Sequence, residues 1–159
     1  MKRVLFLMVL CLLVLGMKAQ TTESTQKYLL GLWFGDSFEE CDESLAKKGF
    51  SYDGYNNNGR DIYTSDGSVI LSLDIYDVEI NFGGATDALT DWVVWFNRST
   101  DYDVELKVTT LLNSLHGEST YCKDEGFYYW EFDDNHVLYA GFNDDGDSFY
   151  ASFETIVED

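Results

Sequence analysis

The chain is 159 residues long and carries 29 Asp and Glu against 10 Lys and Arg, a formal net charge of −19. An acidic excess of this size leaves no basic patch for phosphate contacts, which excludes a nucleic-acid partner, and anionic membrane surfaces repel it. With 45% hydrophobic and 16% aromatic residues, a chain this long has ample material for one globular core and is not disordered.

Lys2 and Arg3 precede an apolar run from Val4 to Leu15, and Gly16-Met17-Lys18-Ala19 offers a small residue for cleavage just before Gln20. This is the layout of a secretory signal peptide over 1–19. The run is shorter than the roughly 20 residues a spanning anchor needs. The expected mature chain therefore begins near Gln20, keeps no membrane anchor after cleavage, and is exported to the periplasm or the medium. Residues 1–19 hold Lys2, Arg3 and Lys18 and no acid, so the remainder is more acidic still. That charge favours solubility and suits a more basic protein as partner. Export also bears on the cysteines. Cys11 leaves with the leader, while Cys41 and Cys122 remain as an even pair in an oxidising compartment. A disulfide between them would close a loop of about 80 residues and contribute roughly 4 kcal/mol. Two separately buried thiols are the alternative.

Residues 20–30 are mostly polar and read as a flexible N-terminal segment, followed by a single domain over 31–159. Ser37, with Glu40 three residues later, makes a capping box for a helix that buries Cys41 and Leu45 and stops at Gly49. Glu39, Glu40, Asp42 and Glu43 crowd its positive end, and Lys47 and Lys48 its negative end. A second helix is expected from about Thr100 or Asp101 to Gly117, with Val104, Val108, Leu111, Leu112 and Leu115 as one apolar stripe. Between and after the helices the pattern is strand and tight turn. Asn58-Gly59, Asp66-Gly67 and Asp145-Gly146 are hairpin dipeptides, and Asp134-Asn135 is a weaker one. Val69 to Ile75, Val78 to Phe82 and Phe149 to Glu154 alternate as half-buried strands. Trp92–Phe96 and Phe127–Phe132 are apolar on both faces and read as central strands. The absence of proline suits an uninterrupted meander.

The expected fold is α+β, with two helices packed on one face of an antiparallel β-sheet. A helix leading into three or four strands recurs about 65 residues later, so a duplicated αβββ unit with halves at 31–99 and 100–159 would account for the order. Gly35-Asp36-Ser37-Phe38-Glu39-Glu40, with Leu45 and Gly49, resembles the helix opening of the small α+β modules of β-lactamase-inhibitor-like and BamE-like envelope proteins. That resemblance implies an antiparallel meander behind a capped helix, paired in the inhibitor fold, and a binding role; it assigns no functional residue. The leader ending in Lys18-Ala19-Gln20 is similar to those of secreted Bacteroidota proteins.

Chemistry-bearing motifs are sparse. His116 suits the negative end of its helix, and His136 follows a turn; neither assembles with Cys122 into a nucleophile–base pair. In Asn143-Asp144-Asp145-Gly146-Asp147 the glycine would be the sixth residue of a calcium loop, which puts Gly141 and Ser152 in the first and twelfth ligand positions, and neither can serve. His and Cys at zinc-finger spacing are absent. Asn97-Arg98-Ser99 matches a glycosylation acceptor, relevant only in a eukaryotic host. No catalytic residue, metal or cofactor is therefore assigned. The aromatic residues say more. If Phe149, Ala151 and Phe153 face the core, Tyr150 faces outward, and Tyr129 lies opposite Tyr128 and Trp130. With the helices on one face, Tyr129, Tyr150, Tyr139 and Trp95 would line the open face, rimmed by Asp133, Asp144, Asp145 and Asp147. Tyrosine and tryptophan on an acidic sheet suit a protein-binding surface. The expectation is an exported, non-enzymatic binding protein, compatible with inhibitor-like action on a protein partner. A carbohydrate-binding or carbohydrate-processing module and a cell-envelope assembly component remain the alternatives.

Overall fold

A computed structural model describes residues 29–70, 73–85, 87–97, 103–133 and 135–156. The expected signal peptide and the candidate helix caps Thr100 and Asp101 lie outside them. The elements run α1 (Phe38–Ala46), β1 (Ser51–Tyr55), β2 (Asp61–Ile70), β3 (Leu73–Gly83), β4 (Ala88–Asn97), α2 (Val104–His116), β5 (Thr120–Cys122), β6 (Phe127–Asp133), β7 (His136–Phe142) and β8 (Ser148–Thr155). All eight strands form one antiparallel sheet in the order β1-β2-β3-β4-β8-β7-β6-β5. The α+β class is as expected, and each helix precedes four strands, the larger of the two numbers expected and one more than an αβββ unit holds.

Local chemistry explains both helices. At α1 the Ser37 backbone N–H donates to Glu40 Oε2 at 2.9 Å, and the Glu40 N–H returns to Ser37 Oγ at 3.4 Å, so two otherwise orphaned donors are satisfied. Gly49, at φ 86°, turns the chain after the helix and lets Phe50 N–H reach the Leu45 carbonyl at 3.1 Å. α2 begins later than its sequence pattern suggests. Asp103 precedes it without a side-chain cap, and Gly117 ends it at φ 91°. Its stripe buries Val104, Val108 and Leu112, with Leu111 and Leu115 packed at the margin. Two side-chain donors of β6 tie it to α2 and its C-terminal cap. Tyr128 donates its hydroxyl to Glu105 at 2.9 Å, and Trp130 Nε1–H is shared between Asn113 Oδ1 and the Gly117 carbonyl at 3.0 and 3.1 Å.

A single core lies between the helices and one face of the sheet. Cys41 and Leu45 of α1, the α2 stripe, Ile75, Val78 and Ile80 of β3, Trp92, Val94 and Phe96 of β4, Leu138 of β7, and Phe149 and Phe153 of β8 all belong to it. Trp92 stacks on Phe153 at 4.7 Å and 10° between planes, with Phe34 against its other neighbourhood at 4.7 Å. Leu29 and Leu30 are buried too, so the ordered domain includes the end of the segment expected to be a flexible lead-in.

Four expectations need correcting. Asp66-Gly67 is not a hairpin turn; it lies inside β2, where the register with β3 shifts between Thr64 and Ser68. The strand expected over Val69–Ile75 is instead divided between β2 and β3, which pair back on themselves from Ile70↔Leu73. β6 is next to the edge of the sheet and not central. Its double-sided apolarity serves the open face described below. Finally, Cys41 and Cys122 are free. Cys41 is on α1, which packs against β1, whereas Cys122 ends β5 at the opposite edge. Strands about 4.8 Å apart put those edges roughly 30 Å from each other, and a bridge needs Cα atoms within about 7 Å.

Both sheet edges are weak templates for further pairing. β5 has only three residues, and β1 breaks register between Tyr52 and Gly54, where Gly54 sits at φ 102°.

Burial pushes the Cys41 thiol up to about 12, assisted by the charges of Asp36 and Glu40, so it stays a thiol at neutral pH and cannot attack. A soluble thiol reagent should modify Cys122, which is partly exposed, and spare Cys41 until the protein is unfolded. Fast modification of both in the native state, or an oxidised mass lacking both thiol hydrogens, would contradict this arrangement.

Candidate functional site

The face of the sheet turned away from the helices carries the complementary set of side chains. Antiparallel register builds it in rows. Phe127, Gly141, Tyr150, Trp95 and Asp77 lie side by side across β6, β7, β8, β4 and β3; Tyr129, Tyr139, Ser152, Val93 and Glu79 form the next row; Glu131, Val137, Glu154, Asp91 and Asn81 the third. The first two rows surround a depression of about 390 Å³ lined by Val93, Trp95, Phe127, Tyr139, Tyr150, Ser152 and Glu154. Two aromatic pairs form its walls. Phe127 and Tyr139 meet edge to face at 5.2 Å, and Trp95 and Tyr150 lie tilted at 5.6 Å.

Gly141 stands between Phe127 and Tyr150 in the first row. Its φ is not positive, so the backbone does not require glycine. A Cβ there would stand 3.1 Å from Phe127 Cβ, closer than nearly all such contacts. Glycine thus lets β7 pack closely against Phe127, one of the walls.

Polar groups fix the walls from outside. Glu79 accepts from Trp95 Nε1–H at 3.1 Å with one carboxylate oxygen and from Asn56 Nδ2 at 2.9 Å with the other. Glu154, which lines the depression, accepts from Ser152 Oγ at 2.7 Å. Burial, and then the Glu154 charge, raises the phenols of Tyr139 and Tyr150 above their usual range. Both therefore stay neutral and present a protonated hydroxyl. A second depression of about 420 Å³ adjoins the first at Glu154 and is lined by Arg60, Asn81, Thr90, Asp91 and Thr155 among others. It is already satisfied internally. Arg60 pairs with Asp91 at 2.6 Å, Asn81 and Thr90 donate to the other Asp91 oxygen at 2.9 and 3.0 Å, and Thr155 donates to the Thr90 carbonyl at 2.8 Å.

Of the residues expected from sequence, the structure brings Trp95, Tyr139 and Tyr150 into the first depression and places Tyr129 beside Tyr139 on the same face. Asp133 is elsewhere. A register shift between Glu131 and Asp133 breaks the alternation that would have set it beside Tyr129 and Glu131. Asp133 instead bonds His136 at 2.7 Å, whose ring stacks on Phe34 at 3.9 Å on the core side. Asp145 is exposed at the β7–β8 turn; its neighbour Asp144 is the residue whose charge acts on Tyr150. Phe127, Val93, Ser152, Glu154 and Gly141 were missed as site residues. Alternation already set Ser152 and Glu154 in Tyr150's outward row and Phe127 in Tyr129's; only the cross-strand register that joins the rows was lacking.

Among the described residues, no group of three or more His, Cys, Asp or Glu is placed to hold a metal ion, and no helix is long and apolar enough to cross a membrane. The fold and this face define a class: an α+β domain whose sheet is covered by helices on one side and carries an aromatic hollow on the other. No family model, curated protein or solved structure matches the chain.

Asp77, next to Trp95 in the first row, is pushed up to about 6 by burial and secondarily by Glu79 and Asp53. Its Oδ1 has no hydrogen-bond partner among the described residues. The neutral acid fits the fold better than the carboxylate, so this contribution is complete below the ordinary value of 3.8 and is lost as pH rises through about 6. Asp77→Asn should therefore stabilise the protein at neutral pH by on the order of 1 kcal/mol, the full linkage value being reduced by partial exposure. The gain should vanish near pH 4, as read from urea unfolding curves at both pH values. A destabilised variant at neutral pH would show instead that the ionised carboxylate supports the fold.

Proposed function

We propose that the chain is an exported, non-enzymatic binding protein that engages a more basic protein partner through the open face of its sheet. The observation that carries this reading is the hollow walled by Trp95, Phe127, Tyr139 and Tyr150 on a face that none of the described elements covers. Aromatic side chains supply large contact area at small entropic cost, and they dominate binding where they sit in the centre of a patch. The surrounding charge gives the partner its sign. Asp77, Glu79, Asp91, Glu131 and Glu154 share this face, and Arg60, the basic residue lining its depressions, is already paired with Asp91. Export rests on the N-terminal layout of the sequence. Inhibitor-like action would consist of covering the partner's own functional surface. A non-enzymatic role is supported by the state of the reactive groups: Cys41 is buried as a thiol, and His136 is stacked and held by Asp133.

A second reading has one specific observation in its favour. Aromatic walls next to a carboxylate, here Glu154, also suit a sugar ring, which would make the face a carbohydrate-binding or carbohydrate-processing module. Membership in a cell-envelope assembly is the remaining alternative.

Affinity capture from envelope and culture fluid, with residues 20–159 as bait, separates these. A protein should be retained in stoichiometric amount, be released by high salt as an electrostatic contact is, and bind the Tyr139→Ala/Tyr150→Ala variant at least about tenfold more weakly. Equal retention by wild type and variant would place the site off this face. Retention of a glycan would support the carbohydrate reading, and salt-resistant association with membrane proteins the assembly reading.

A further inference from the structure

We propose that the aromatic hollow receives one basic side chain, a lysine or an arginine, presented by the protein partner. This rests on the reading of the open face as the partner-binding surface and names the chemical group it recognises.

Three features of the hollow lead to a cation. Ring faces carry negative potential, and a cation within about 6 Å of a ring centroid is attracted to it, most strongly by tryptophan. The walls supply four rings in two pairs, Phe127 with Tyr139 and Trp95 with Tyr150. Glu154 is the one carboxylate in the lining, and among the described residues it is tied to Ser152 through Oε1, so it can accept from an incoming ammonium or guanidinium. In the neighbouring polar depression Asp91 is already paired with Arg60 and accepts from Asn81 and Thr90, so its carboxylate is less available to an outside cation than that of Glu154.

The dimensions agree. A hollow of about 390 Å³ is at the small end of ligand sites; it fits a long side chain and not an extended oligosaccharide. Any side chain at Gly141 would push on Phe127, one of its walls, and Glu79 holds the Trp95 indole in place through its Nε1–H, so the walls are set before the guest arrives. The phenols of Tyr139 and Tyr150 are held neutral. The cation therefore meets the aromatic faces and a single anionic group. An acidic face selects the sign of the guest, and the aromatic walls select a long, weakly hydrated cation over a small inorganic one.

The test is a titration of the isotopically labelled protein followed at the Trp95 indole N–H resonance, identified by its loss in Trp95→Phe. The probes are Nα-acetyl-lysine methylamide and Nα-acetyl-arginine methylamide. The corresponding norleucine and citrulline derivatives serve as neutral comparators of similar shape, and cellotetraose as the sugar probe. Saturable shifts with the two cations, weakened fivefold or more in Glu154→Gln and lost in Gly141→Ala, are the expected result. Glu154→Gln keeps the side-chain length and the acceptor for Ser152, so it isolates the charge. Equal shifts with the neutral comparators, no shift with either cation, full binding by Glu154→Gln, or saturation by the tetraose alone would each overturn the proposal. A partner captured through this face while the cations fail to bind would sink this inference and leave the broader reading standing. Capture that ignores the face altogether would sink both.

Discussion

Strands β4 and β8 meet at the middle of the sheet, and through their seven antiparallel pairs, from Asp91↔Glu154 to Asn97↔Ser148, two four-stranded meanders become one surface. Because side chains alternate along a strand, this one pairing sets both faces at once. On the covered side it stacks Trp92 on Phe153 at 4.7 Å. On the open side it sets Trp95 against Tyr150 and Asp91 beside Glu154. A slip of one residue would turn Trp92 and Phe153 to water and bury Trp95 with a glutamate and an aspartate. Tryptophan burial on the core side thus specifies which side chains reach the open face, and the aromatic hollow inherits its geometry from the core.

The same alternation decides where charge goes. The core side takes the aliphatic and aromatic residues, so the acids of β3, β4 and β8 are forced onto the opposite face together. Their mutual repulsion, and for Asp77 partial burial, is a cost carried by the free protein. A cationic partner would relieve it on contact. Self-repulsion that is removed by binding is a source of affinity that needs no additional apolar area, and it also speeds encounter with a basic surface.

How far the sequence could be read follows from which interactions are local. The α1 cap was legible because Ser37 and Glu40 satisfy each other within one turn. The outward row of β8 was legible because nothing interrupts the alternation of Tyr150, Ser152 and Glu154. Reading failed where registers shift. The bulge between Glu131 and Asp133 moves Asp133 to the core side, and the one between Thr64 and Ser68 turns an apparent Asp-Gly hairpin into mid-strand backbone. It failed again where distance across the sheet matters. Nothing in the spacing of Cys41 and Cys122 reveals that β1 and β5 are opposite edges. The hollow lay beyond reach for the same reason, since Gly141 matters only through its neighbours Phe127 and Tyr150 on two other strands.

The shortness of β5 and the broken register of β1 govern how this chain behaves at high concentration. A broad sheet with one uncovered aromatic face would ordinarily grow by strand addition into ribbons. With three residues at one border and a glycine-centred kink at the other, neither border offers a row of free backbone groups long enough to template a new strand. Growth in the plane of the sheet is disfavoured at both borders, so the aromatic face can stay open without its edges templating a ribbon. A molecule meeting the aromatic rows has to approach along the normal to the sheet.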